Sequence, residues 1–84
     1  MNTIDALTQF LENRGEQFLY WQDGSIVVDS YYDKQFRALG GDTHRLISFF
    51  EDSATMHDAA RHYIAALRQA SNSEAKDETR VGKP

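Results

Sequence analysis

The side chains able to do chemistry are few and scattered. The chain holds three histidines, His44, His57 and His62, and no cysteine. Zinc would have to be bound by imidazole and carboxylate alone. His57 and His62 stand five residues apart, about 140° round a helix, so they do not share a face. Asp42 and His44 would fall on one side of a strand, but nothing marks a third ligand. Solvent-facing histidines are the simpler account, and no metal site is expected.

Glu51–Asp52 and Asp29/Asp33 are the carboxylate pairs that general acid–base chemistry would need. Adjacent surface acids are common, however, and a chain of 84 residues leaves little room for a deep ligand pocket. No glycine-rich phosphate loop and no Gly-x-Ser-x-Gly elbow is present. The expectation is a protein with no catalytic residues, no metal and no cofactor, hence not an enzyme.

Contact chemistry is better represented than catalysis. Phe18, Tyr20, Asp23, Asp29, Tyr31, Tyr32 and Asp33 gather aromatic and acidic groups within sixteen residues. Aromatic side chains anchor interfaces, and carboxylates favour a basic partner. These seven are the candidate protein-contact residues. The competing account is a strand end bearing ordinary solvated acids. Arg61 and Arg68, seven apart on one helix face, form an alternative nucleic-acid contact, extended by Arg45, Arg37 and Lys34. Asp58 and His57 precede Arg61 at helical spacing, so a solvated, locally balanced face explains the arginines as well.

The element that must position the aromatic group is a hairpin. Phe18 to Asp29 reads as two strands joined by Asp23-Gly24, a pair suited to a two-residue turn with positive backbone angles. With Gln22 opposite Ser25, Trp21 pairs with Ile26, Tyr20 with Val27, Leu19 with Val28 and Phe18 with Asp29. Alternation puts Leu19, Trp21, Ile26 and Val28 on one face, assigned to the core. Phe18, Tyr20 and Val27 lie on the other, which has no obvious cover.

Helical signals flank the hairpin. Residues 3–14 carry Ile4, Leu7, Phe10 and Leu11 in one stripe, with Asn2 as cap and Gly15 as stop. Residues 55–70 carry Met56, Ala59, Ala60, Tyr63, Leu67 and Ala70, with a Thr55/Asp58 capping box. Residues 31–42 fit either a short helix capped by Ser30 or an irregular connection ending at Gly40-Gly41. Residues 44–50 are a short apolar run, read as a third strand, with a helix capped by Asp42 or Thr43 as the alternative.

The expected fold is therefore α+β, a small antiparallel sheet of two or three strands flanked by an N-terminal and a C-terminal helix. The order is α-β-β-β-α, with α-β-β-α-α as the alternative. Residues 1–70 form one domain around Leu7, Leu11, Leu19, Trp21, Ile26, Val28, Tyr63 and Leu67. Residues 71–84 have almost no apolar content and are expected to be a mobile tail.

Charge narrows the partner. Residues 1–70 hold ten acids against six bases, which accounts for the whole net charge of −4, since the three acids and three bases of residues 71–84 cancel. Such a domain is repelled by phosphate, so nucleic acid is disfavoured, and attracted to basic protein surfaces. No apolar run reaches membrane-spanning length and no signal-peptide pattern opens the chain, so a cytoplasmic protein is expected. The function that fits is a small acidic binding module, an inhibitor or adaptor occupying a basic surface of a larger partner. Phage and mobile-element inhibitors of nucleic-acid-handling defence complexes have this general character, with no shared motif. A homodimer through the sheet edge or the Phe18/Tyr20 face is the remaining alternative.

Overall fold

A computed structural model describes the backbone of residues 2–81 and the side chains of residues 2–71. Four helices and one two-stranded antiparallel sheet follow in the order α1 (Thr3–Phe18), β1 (Leu19–Gln22), β2 (Ser25–Val28), α2 (Ser30–Ala38), α3 (Thr43–Glu51) and α4 (Met56–Val81).

The hairpin forms in the expected register. Leu19 faces Val28, Tyr20 faces Val27, Trp21 faces Ile26 and Gln22 faces Ser25. The Asp29 N–H donates to the Phe18 carbonyl at 2.9 Å, closing the base of the ladder. Asp23 and Gly24 both adopt positive φ, 52° and 81°, as the tight turn requires.

Helix α1 runs one turn further than its stop signal suggests. Gly15 is buried in the helix rather than ending it. It occupies a stripe position between Leu11 and Phe18, where the helix meets α4: a Cβ there would lie 3.3 Å from Met56 Cγ. The glycine marks a close helix–helix approach, and Phe18 becomes the last core residue of α1 rather than a strand residue.

The apolar run at 44–50 is helix, not a third strand. Asp42 caps α3, its Oδ1 accepting the Arg45 N–H at 3.2 Å. Leu46 and Phe50, four apart, are buried on one face, and Ile47 and Phe49 pack beside them. That spacing satisfies a helix period, and tertiary burial overrides the strand preference of Ile and Phe. The order therefore follows the helix-rich alternative, with one helix more, because residues 30–38 are also helical. The cap of α2 is Asp29, whose Oδ1 accepts the Tyr32 N–H at 3.0 Å. The expected caps of α1 and α4 form: Asn2 Oδ1 accepts from the Asp5 N–H at 2.8 Å, and Thr55 Oγ1 from the Asp58 N–H at 3.1 Å. Helix α4 continues to Val81, so its backbone is helical across 71–81, part of the segment expected to be mobile. The last three residues of that segment lie outside those described.

Five of the twelve buried apolar residues described are aromatic. Phe36 is fully buried, with ring centroids 5.0 Å from Phe18, 5.7 Å from Phe10 and 5.8 Å from Tyr63. Leu7, Leu11, Leu19 and Tyr63 are buried as expected, and Ile26, Val28 and Leu67 are packed partly against them. Trp21 is not core: it is half exposed, its ring 5.9 Å from Phe50 at the margin. A two-stranded hairpin is marginal alone. Here one face rests through Leu19, Ile26 and Val28 on the helical core, which is what stabilises it.

Candidate functional site

The hairpin separates the seven candidate contact residues into two groups. Phe18 is fully buried, so it supports the fold and cannot meet a partner. Tyr32 is half buried, its ring 6.3 Å from Phe10. Asp29 is committed to capping α2. Asp33 is bound on both sides: Arg37 Nε donates to its two oxygens at 3.1 and 3.2 Å, and the Thr43 hydroxyl donates to Oδ1. Burial raises the Asp33 carboxyl, but the hydrogen bonds from Thr43 and Arg37 and the positive charges of Arg37 and His44 outweigh it. Its pKa lies below the ordinary carboxylate value. The Thr43 hydrogen bond clips α2 to the start of α3, while the Arg37 pair lies within α2 itself.

Tyr20, Asp23 and Tyr31 remain on the surface. Tyr20 is 39 % exposed and Tyr31 is 67 % exposed. The face carrying Tyr20 and Val27 is turned from the core, and neither residue joins the apolar cluster. Asp23 sits at the hairpin tip with its side chain in solvent. Trp21, 50 % exposed, adds a large aromatic that the core assignment had hidden. Its cross-strand partner Ile26 packs on the core, while the Trp21 ring lies against Phe50 at the core's margin.

A second surface feature lies between α1 and α4. It is an open groove of about 690 Å³ floored by Leu11, Met56, Ala60 and Ile64. Glu12 and Glu16 stand on its α1 wall, and Arg61 and Arg68 on its α4 wall. The arginines expected to make a basic strip therefore face two acids across an apolar floor. Arg61 also pairs along its own helix with Asp58, at 3.3 Å. A smaller hollow of about 460 Å³ continues past Glu16 and His57 to Tyr20 and Trp21. The Glu12/Glu16 spacing of four was the sequence signal for this acidic wall. Its meaning depended on which helix lay opposite.

Among the described residues no group of three or more His, Asp or Glu side chains is placed to hold a metal ion, and no helix is long and apolar enough to cross a membrane. No family model, curated protein or solved structure matches the chain.

Proposed function

We propose that this protein is a small acidic binding module that works by covering a basic surface of a larger protein, as an inhibitor or adaptor. The observation that carries the reading is the uncovered hairpin face. Tyr20 is exposed and half-buried Val27 joins no core cluster, while Trp21 on the other face of the hairpin and Tyr31 on α2 are exposed as well. Three large exposed aromatics, together with the Asp23 carboxylate at the hairpin tip, combine anchoring area with the charge that steers toward a basic target. The functional set is thus Tyr20, Trp21, Asp23 and Tyr31. Phe18, Tyr32, Asp29 and Asp33 act behind it by holding the hairpin and α2 in place.

The net charge of −4 supports a basic protein surface over nucleic acid as the target. The absence of cysteine fits a reducing cytoplasm. A basic groove that handles nucleic acid is the target chemistry we favour, as in inhibitors of defence nucleases carried by phages and mobile elements.

Affinity capture tests this with three baits: the wild-type chain, Tyr20→Ala and Asp23→Asn. The expected result is a basic protein retained by the wild type, released by raised salt, and retained less by both variants. Equal retention by all three baits would remove the hairpin from the contact. Recovery of nucleic acid in place of protein would overturn the reading.

A further inference from the structure

We propose that the groove between α1 and α4 is a self-complementary docking surface that takes a second copy of this chain. The inference concerns a different surface from the hairpin face and stands independently of it. Its basis is the opposite sign of the two walls, Glu12 and Glu16 on α1 against Arg61 and Arg68 on α4, above a floor that includes Leu11, Ile64 and exposed Ala65.

Two copies can meet groove to groove about two kinds of two-fold axis. An axis running across the groove stacks α1 on α1, acid on acid, and α4 on α4, base on base. An axis running along the groove lays α1 of each copy over α4 of the other. Such an axis preserves position along the groove, and Glu16 lies level with Met56 and His57, so Glu12 meets Arg61 and Glu16 meets His57 of the second copy, and the same contact is made twice, as a closed two-fold interface requires. Like charges set against each other cost free energy and opposite charges fix the register, so the walls select the second arrangement. The four helices form a two-layer bundle over the joined apolar floors.

Among the described residues Arg68 makes no ion pair, and Arg61 pairs only with Asp58 of its own helix. Both ion pairs among the described residues, Asp33–Arg37 and Asp58–Arg61, lie within a single helix, and none crosses the groove. The Asp58–Arg61 contact is exposed at both ends, the class of pair that contributes little and exchanges readily. The pattern along the groove is periodic: 12 and 16 on α1, and 57, 61, 65 and 68 on α4, successive turns of each helix. A surface of this periodicity meets another helical layer along its length.

Sedimentation velocity on the full chain, up to about 1 mM, tests the proposal. The expected result is a reversible monomer–dimer equilibrium. The double variants Glu12→Lys/Glu16→Lys and Arg61→Glu/Arg68→Glu should each self-associate roughly tenfold or more weakly. An equimolar mixture of the two should restore the dimer, because each reversed wall then faces its opposite. Circular dichroism on each variant checks that the helices persist. If a reversal unfolds the chain, Ala65→Glu replaces it: this position is exposed, and the new carboxylate neutralises the basic wall, so weaker association is again expected. A chain that stays monomeric throughout overturns the proposal and leaves the groove to a helix of another protein. So does a dimer that all these variants leave intact, or a mixture of folded variants that fails to restore it.

Discussion

The hydroxyl of Tyr63 on α4 accepts a hydrogen bond from the backbone N–H of Asp42, 2.9 Å away and twenty-one residues earlier. Asp42 is the N-cap of α3, so one bond ties the start of that helix to the middle of another. Burial raises the Tyr63 phenol; the Asp42 backbone hydrogen bond opposes this, the Asp42 charge adds to it and Arg45 opposes it, leaving the pKa above its ordinary value. Tyr63→Phe keeps the ring against Phe36 and removes only the acceptor. Urea denaturation should show a loss of about 1 kcal/mol, the usual contribution of such a bond. A raised folded-state pKa means the phenol's contribution is full below about pH 10 and declines as pH rises beyond it. Alkaline unfolding should therefore begin at higher pH in Tyr63→Phe, relative to its own neutral stability.

Asp33 has the opposite linkage. Its pKa is lowered in the folded protein, so its contribution is present above the unfolded value near 4 and is lost as pH falls through the folded one. Asp33→Asn should cost about 1 kcal/mol at neutral pH, a value kept low because the Arg37 side chain is more than half exposed. The variant and the wild type should converge in stability as pH falls through the lowered folded-state value. A difference that persists undiminished in acid would mean that packing, not charge, holds α2 to α3.

Two glycines should respond differently to alanine. A Cβ on Gly41 would lie 2.5 to 2.6 Å from the ring of Phe36, which is fully buried and has no room to turn. Gly41→Ala should cost about 1–3 kcal/mol through overpacking. At Gly15 the neighbour is Met56, a flexible side chain at 3.3 Å, and alanine is favoured over glycine in a helix by about 1 kcal/mol. Gly15→Ala should leave stability within about 1 kcal/mol of the wild type. Thermal melts of both variants decide the comparison.

Phe18 at the end of α1 and Tyr20 on β1 should separate fold from contact. Phe18→Ala removes a fully buried ring and should cost about 3–5 kcal/mol, a large share of the stability of so small a domain. Tyr20→Ala removes a ring turned from the core and should change stability by about 0.5 kcal/mol or less. If Tyr20→Ala unfolds the protein in a denaturant titration, that face is covered and the proposed contact is misplaced.

Local rules sufficed where the information is local. The Asp23-Gly24 turn, the pairing of Trp21 with Ile26 and the caps at Asn2 and Thr55 each depend on a few adjacent residues, and all are legible in the chain. Gly15 and the run from His44 to Phe50 were not. A glycine reads as a helix stop until α4 comes close enough to need the missing side chain. A short apolar run suits strand or helix until Leu46 and Phe50 find a common core to enter. The candidate site divides in the same way. Residue types marked the aromatic and acidic cluster around the hairpin. Only packing decided that Phe18 goes inward, that Asp29 and Asp33 are occupied as cap and clip, and that Trp21 lies at the core's margin. The charged groove is the extreme case. Glu12 and Arg61 lie 49 positions apart in sequence, and each looks like ordinary solvated charge. Their arrangement as opposing walls exists only because α1 packs along α4, and burial of the apolar stripes, not the charges, brings those helices together.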